Sequence, residues 1–254
     1  MAKRKRTFLG RLWRLLVIKL PLALIALSLV SVIVLKWCPI LVTPTMIQRS
    51  IQFRDDKNYH THYKWVRYKN ISPEMARAVM ASEDNLFDKH NGFDWKAIKE
   101  ARQEYESGKR QRIRGASTIS QQTAKNVFLF QSRSWCRKGL EAYFTVLIEV
   151  LWSKERIMEV YLNVIEMGKG IYGSEAAAEQ LFGTTAAKMT RQQCCLIAAC
   201  LPNPLRRNAA RPTSYLMMRA NQIAALEPKL AYPNWVYHKS AAPKKEKSSA
   251  KKSK

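Results

Sequence analysis

The chain is poor in acidic residues. It carries 19 aspartates and glutamates against 44 lysines and arginines in 254 residues, for a formal net charge of +25. A positive field of this size favours anionic partners. Nucleic acid is the usual candidate for such a chain, but the apolar segment described below argues against it.

Cysteines are also few, and their number is odd. Three of the five, Cys194, Cys195 and Cys200, cluster on one predicted helix, where neighbouring positions point about 100° apart, and no second ligand group stands at metal-binding spacing. We therefore expect mainly buried free thiols, with no disulfide framework and no metal centre. The glycine pattern over residues 168–173 follows an amphipathic helix and not a strand, so we interpret it as a loop between helices.

No run of alternating polar and apolar residues is long enough to predict a sheet, so the expected fold class is all-α. Helix start signals and apolar periodicity predict eight helices in the second part of the chain. Their predicted bounds are 73–84, 95–107, 117–128, 137–151, 154–166, 174–182, 190–200 and 212–226. The helix that starts at Lys154 carries an amphipathic pattern typical of scaffold.

A single long apolar segment lies near the start of the chain. It runs without a charge over residues 20–35 and, extended back to Leu15, includes only Lys19. Twenty-one helical residues span roughly 31 Å, enough to cross a bilayer. Six basic residues precede the segment and one lysine follows it directly, which predicts a cytoplasmic N-terminus and an extracytoplasmic domain. A cleaved signal peptide is the alternative, but no clear cleavage site follows.

The most informative stretch surrounds Glu83. Ser72 and Pro73 start a helix whose apolar positions predict an inward-facing stripe, and Glu83 continues this stripe. Burial would raise the pKa of this carboxyl toward the range of a general base. A solvent-facing acid at a helix end is the alternative, but Asp84, His90 and Asp94 crowd the same turn.

A second block runs from Gly115 to Asn126. Ser117, Gln121 and Lys125 are four residues apart, which predicts one polar stripe with Gln122 beside it. Basic residues flank the block over 109–114 and 133–138, so the stripe is suited to a pyrophosphate. An ordinary solvated helix face is the alternative.

A third element opens with Arg137 and Lys138 and carries Glu141 at the border of an apolar stripe. On spacing alone, a plain ion pair between Arg137 and Glu141 explains these residues, at about 0.3 kcal/mol.

These blocks together resemble the monofunctional peptidoglycan glycosyltransferases, glycosyltransferase family 51, whose domain also forms the front of class A penicillin-binding proteins. Five motif blocks occur in order between about Met75 and Pro204. In the fifth, Gln193 stands where the family usually has Glu; because it can complete a capping box with Thr190, we interpret it as structural. Neither Ser132 nor Ser134 begins a Ser-x-x-Lys motif and no Lys-Thr-Gly occurs, so no transpeptidase is expected.

The resemblance implies a lysozyme-like, two-lobed helical domain with one N-terminal transmembrane helix. It implies that Glu83 is the catalytic base and Glu141 a second acid at the donor end. The implied substrate-binding residues are Asp84, Phe87, His90, Ser117, Thr118, Gln121, Gln122, Lys125, Asn126, Arg133, Arg137 and Lys138. The implied division of the chain is a cytoplasmic basic N-terminus (1–14), an anchor (15–36), a linker and membrane-proximal start (37–70), the glycosyltransferase domain (71–238) and a disordered basic tail (239–254).

The implied reaction is inverting polymerisation of lipid II into β-1,4-linked glycan, with release of undecaprenyl pyrophosphate. No cofactor is required, although a divalent cation such as Mg²⁺ could assist at the pyrophosphate. Expected partners are lipid II, the growing strand, lipids of the cytoplasmic membrane and other cell-wall synthesis proteins, and no nucleic acid. A lysozyme-like hydrolase and a non-catalytic, membrane-anchored scaffold of wall synthesis are the alternatives.

Overall fold

The computed structural model describes Trp13 and residues 15–109, 115–132 and 134–237. The predicted N-terminal and C-terminal charged segments, most of the basic loop that starts at Lys109, and Arg133 lie outside these described residues. Within them the fold is helical, as expected. The ten α-helices described are α1 (Leu20–Leu35), α2 (Pro44–Gln52), α3 (Pro73–Glu83), α4 (Trp95–Glu106), α5 (Ile119–Phe128), α6 (Trp135–Leu151), α7 (Lys154–Val164), α8 (Gly173–Phe182), α9 (Arg191–Cys200) and α10 (Ser214–Leu226).

Two differences from the sequence prediction concern short elements. A three-stranded sheet has the order β1 (His62–Tyr63), β3 (Ile171–Tyr172), β2 (Glu166–Gly168), where β3 pairs parallel to β1 and antiparallel to β2. The segment 168–173, predicted as a loop, therefore contributes to a hairpin. Strands of two and three residues are too short to show alternation. Helix α2 was not predicted, although Thr43 caps it and Pro44 opens it.

The apolar N-terminal segment forms one continuous helical span, Leu15–Leu35, long and apolar enough to cross a membrane, with a mean hydropathy of 2.5. Its first turn, Leu15–Lys19, is π-helical. Pro21 follows this turn and lacks the N–H that a regular α-helical bond to Val17 would need.

Hydrogen bonds from side chains join the C-terminal part of this span to the rest of the protein. Ser28 Oγ lies 2.7 Å from the hydroxyl of Tyr143 on α6. Trp152 Nε1 donates to Val32 O at 2.8 Å. Arg156 donates to the carbonyl oxygens of Leu35 and Cys38 at 2.8 and 2.5 Å, and the first of these is an acceptor that the helix end leaves free. Helix α1 is therefore fixed against α6 and the start of α7.

Two groups of helices form the core. Helix α3 packs against α9 and α10, and α5 packs against α6 and α7. Cys194, Cys195 and Cys200 lie buried as free thiols on α9, as expected, and burial raises the pKa of Cys195 and Cys200 to about 11. Gln193 completes the predicted capping box with Thr190. Helix α4 buries only Ala101 and stands as an outer wall beside α3.

Candidate active site

The site forms where the end of α3 meets the start of α5. Glu83 is the last residue of α3, and Thr118 caps α5 directly opposite. Between them lies a cleft of about 810 Å³, whose walls come from the α3 end, α4, the segment before α5, and α10. Of the implied site residues, the cleft is lined by Glu83, Asp84, Ser117, Thr118 and Gln122.

The carboxylate of Glu83 is held by two side chains. Gln122 Nε2 donates to Oε2 at 3.0 Å, and Ser82 Oγ donates to Oε1 over a long 3.4 Å. Burial raises the pKa of Glu83, the two hydrogen bonds and the charge of Arg219 oppose that rise, and Asp84 adds to it. The net result is a raised pKa on an acid that opens into the cleft, as the sequence predicts for a base.

Asp84 ties three parts of the site together. Its Oδ2 accepts from the backbone N–H of Ile119, the first residue of α5, at 3.0 Å. Both its oxygens contact His90 Nε2, at 2.9 and 3.1 Å. A carboxylate at a helix N-terminus is stabilised by the free N–H groups there. Asp84 thus fixes the distance between α3, which carries Glu83, and α5, which carries Gln122.

The structure places Phe87 and His90 behind the cleft. Phe87 has no exposed surface and meets His90 edge to face, with 6.4 Å between ring centres. Lys154 Nζ lies 4.6 Å from the centre of the Phe87 ring and donates to His90 O at 2.7 Å and to the buried Glu149 at 2.8 Å. Phe87 and His90 therefore pack the turn after Glu83 in this structure, and the contacts of Lys154 are those of a scaffold residue, as predicted.

The stripe of three polar residues predicted on α5 does not form, because the helix begins two residues later than expected. Ser117 precedes the helix. Gln121 is buried: its Oε1 accepts from Thr118 N at 3.0 Å and its own N–H is capped by the Thr118 hydroxyl, which completes a capping box. The Thr118 hydroxyl also donates to Gly92 O at 2.6 Å. Gln122, which was predicted beside the stripe, is the α5 glutamine that faces Glu83.

Asn126 is 3% exposed and connects α5 to α2. Its Oδ1 accepts from Thr45 Oγ1 at 3.2 Å and from Gln131 Nε2 at 3.3 Å, and its Nδ2 donates to Gln122 O at 2.8 Å. These bonds hold the backbone of Gln122 in place.

A second cluster lies beyond the cleft, around Glu141. This carboxylate is 3% exposed and pairs with Arg137, whose Nη1 lies 2.5 Å from Oε2, and with Lys138. Burial lowers the pKa of Lys125, Glu141 opposes this, and Arg137 and Lys138 lower it further, which places all four charges in one field. Three cations against one carboxylate leave a net positive cluster suited to a pyrophosphate.

Sequence reasoning missed Arg219. Its guanidinium reaches the cleft from α10 and lowers the pKa of Glu83 by its charge. Arg219 lies in no motif block, and only the packing of α10 on α3 brings it there. Lys96 and Glu100 of α4 also line the cleft.

The chain is similar in sequence to known proteins over most of its length. The sequence matches the profile of the family described as Transglycosylase over residues 48–226. A biosynthetic peptidoglycan transglycosylase of Bacteroides thetaiotaomicron is 58% identical over 201 residues, which cover 78% of this chain and 80% of that protein. Proteins of the same description from Caulobacter vibrioides and Bdellovibrio bacteriovorus are 48% and 46% identical over 216 and 220 residues. The first match covers 85% of this chain and 91% of that protein, and the second 85% and 87%.

Proposed function

Because the chain belongs to the transglycosylase family, we propose that it polymerises lipid II into the β-1,4-linked glycan strands of peptidoglycan and releases undecaprenyl pyrophosphate. It is a glycosyltransferase, and its fold is the lysozyme-like helical domain of that family. The observation that carries the mechanism is the position of Glu83. This partly buried carboxylate with a raised pKa opens into a cleft, and α5 leads from the same cleft to a cationic cluster.

Glu83 acts as the general base. Burial raises its pKa, which makes the carboxylate a stronger base toward the hydroxyl group from which it takes a proton. The acceptor sugar's 4-hydroxyl loses its proton to Glu83 and attacks the anomeric carbon of the donor, whose bond to the pyrophosphate breaks with inversion. No covalent enzyme intermediate is needed.

The leaving pyrophosphate carries the charge that builds up in the transition state. Lys125, Arg137 and Lys138 supply fixed positive charge for it, and the buried Glu141 orients two of these cations through its ion pairs. Arg133, which lies outside the described residues, is proposed for the same cluster from the family resemblance alone.

A protein-held Mg²⁺ does not fit this cluster. Both oxygens of Glu141 are paired with cations, and the described residues contain no group of three or more His, Cys, Asp or Glu side chains that could hold a metal ion. Mg²⁺ is held by carboxylate, phosphate and water oxygens. We therefore assign charge stabilisation to the three side chains and derive no step through a metal.

We propose that α1 spans the cytoplasmic membrane with the N-terminus inside and the catalytic domain outside, where a membrane-bound lipid substrate can enter the cleft. The basic residues before the apolar segment support this orientation. In this orientation the domain would contact membrane lipids and other wall-synthesis proteins, and we propose no nucleic-acid partner.

A glycan-cleaving activity and a non-catalytic scaffold are not favoured. A hydrolase would need no cationic cluster along α5, and a scaffold would need no acid of raised pKa in an open cleft.

The direct test is polymerisation of lipid II by the detergent-purified protein, with muramidase digestion to identify the product. Glu83→Gln removes the base with little change in volume and should lower the rate by at least about 10²-fold. Glu100→Gln, the same change at an exposed acid of the same cleft, should keep the rate within a few-fold. Comparable rates for the parent and Glu83→Gln would refute the assignment.

A further inference from the structure

The side-chain amide of Gln122 lies between Glu83 and a buried tyrosine. On one side its Nε2 donates to Glu83 Oε2 at 3.0 Å. On the other side its Oε1 accepts from the hydroxyl of Tyr161 at 3.3 Å. Tyr161 belongs to α7 and has no exposed surface. Within the described part of the chain, Gln122 is the hydrogen-bond partner found for this hydroxyl.

The orientation of this amide determines whether the Glu83 carboxylate faces a hydrogen-bond donor or an acceptor. An amide presents a donor at one end and an acceptor at the other. With Nε2 toward the cleft, the group donates to the carboxylate and approaches Ser117 O at 3.5 Å. With the amide reversed, an oxygen would face the carboxylate and repel it. In the first orientation the Tyr161 hydroxyl donates to Oε1. In the reversed orientation it could only accept from the amide NH₂, and its own hydrogen would lose the partner found for it in the described residues, so the hydroxyl favours the first orientation.

We propose that Tyr161 is a positioning residue that acts through Gln122: it holds the amide with its NH₂ group toward Glu83, so that Oε2 is anchored and Oε1 is left to take the proton. The inference rests on the proposed function of Glu83 as the base. The remaining contact of Oε1 in the described residues, Ser82 at 3.4 Å, is long for a hydroxyl donor.

The hydroxyl also strengthens the bond that it orients. A donor to Oε1 polarises the amide and makes Nε2 a better donor to the carboxylate. Because a hydrogen bond to the charged form lowers a carboxyl pKa, loss of the hydroxyl should raise the pKa of Glu83. The other charged groups at Glu83 stay in place in such a variant: they are Asp84 on its own chain segment, Arg219 on α10, and Asp94, Lys96 and Glu100 along the α4 wall.

The test is Tyr161→Phe, which removes one oxygen atom from a fully packed ring. In a pH profile of lipid II polymerisation, we expect kcat to fall between about twofold and tenfold, the range for one hydrogen bond. The acid limb should move to higher pH by about 0.4 to 1 unit, with KM unchanged. Tyr172→Phe is the matched control, because Tyr172 is equally buried and its hydroxyl meets Tyr59 away from the cleft; its acid limb should match the parent's.

A substitution of Gln122 tests whether Tyr161 acts on Glu83 through this amide. Gln122→Met removes the donor to Glu83 and should move the acid limb in the same direction. In that background Tyr161→Phe should have no further effect on the limb, since its influence passes through the amide. An unmoved acid limb in Tyr161→Phe, or equal shifts with and without Gln122, would overturn the inference. If Tyr161→Phe does not fold, an unmoved limb in Gln122→Met overturns it.

The proposed function and this inference fail in different ways. A parent protein that does not polymerise lipid II, or a fully active Glu83→Gln, refutes the function. An active parent, an inactive Glu83→Gln and an unmoved limb in Tyr161→Phe refute only the role of Tyr161.

Discussion

Replacing Gly92 with alanine should destabilise the protein through two separable effects. Gly92 has a φ of +88°, a region that side chains rarely adopt, and a Cβ there would stand 2.8 Å from Thr145 Cγ2 and 3.0 Å from Glu149 Cγ. The backbone effect costs about 1 to 3 kcal/mol. Forcing a methyl group against the packed wall of α6 costs about 1 to 3 kcal/mol more. We therefore expect a loss of about 2 to 6 kcal/mol in the free energy of unfolding.

Gly183 provides the matched control. Its φ is +60°, and a Cβ at this position would meet no atom within 4 Å. Gly183→Ala therefore has only the backbone effect, and the entropy that alanine removes from the unfolded chain is common to both variants. The difference between the two losses, measured by chemical unfolding in detergent, contains the steric effect of the α6 wall and the difference in backbone strain between φ values of +88° and +60°.

A rescue variant locates the clash. Thr145→Ser removes Cγ2 and keeps the hydroxyl that donates to Glu141 O at 2.7 Å. In the Gly92→Ala background it should restore part of the lost stability. Equal losses for Gly92→Ala and Gly183→Ala, together with no rescue, would refute this account of the turn.

Three further predictions concern charge. Lys125→Ala should lower turnover by roughly ten- to a hundredfold through loss of a charge-assisted contact to the leaving group. Lys188→Ala, at an exposed lysine, should change turnover little. Equal small effects of the two substitutions in the polymerisation assay would place the pyrophosphate elsewhere. Arg219→Ala should raise the pKa of Glu83, because the positive charge favours the ionised form, and so move the acid limb of the pH profile to higher pH; a shift to lower pH would contradict the geometry. Lys154→Ala should cost about 3 to 5 kcal/mol of stability because it leaves Glu149, whose side chain is 6% exposed, without its cation. A loss below about 1 kcal/mol in an unfolding titration would contradict a structural role for this ion pair.

Periodicity and capping signals predicted most helices of the domain within a few residues. Pro73 led correctly to the start of α3, since this signal depends on neighbours in the chain. The apolar stripe led to Glu83, which is partly exposed at the cleft and has a pKa raised by burial. The late start of α5 is a different case: Thr118 and Gln121 have capping-box spacing, so the signal was present, but it was interpreted as part of a ligand stripe.

Other features depended on contacts between distant segments. Arg219 lies 136 positions after Glu83 in the sequence and reaches the cleft only because α10 packs on α3. The bond between Tyr161 and Gln122 requires α5 to pack on α7. No local pattern predicts either, because periodicity shows that a helix face is buried but not what it is buried against.

The bonds between α1 and the domain constrain how the enzyme meets its substrate. With Trp152 and Arg156 bonded to carbonyl oxygens at the end of the apolar span, the domain cannot swing freely as if on a tether. In a bilayer that contains α1, the cleft would keep a constant height above the lipid and a constant orientation relative to α1. A lipid-linked substrate would then need to find the enzyme only by diffusion in the plane of the membrane, and each encounter would begin with the cleft at the same level.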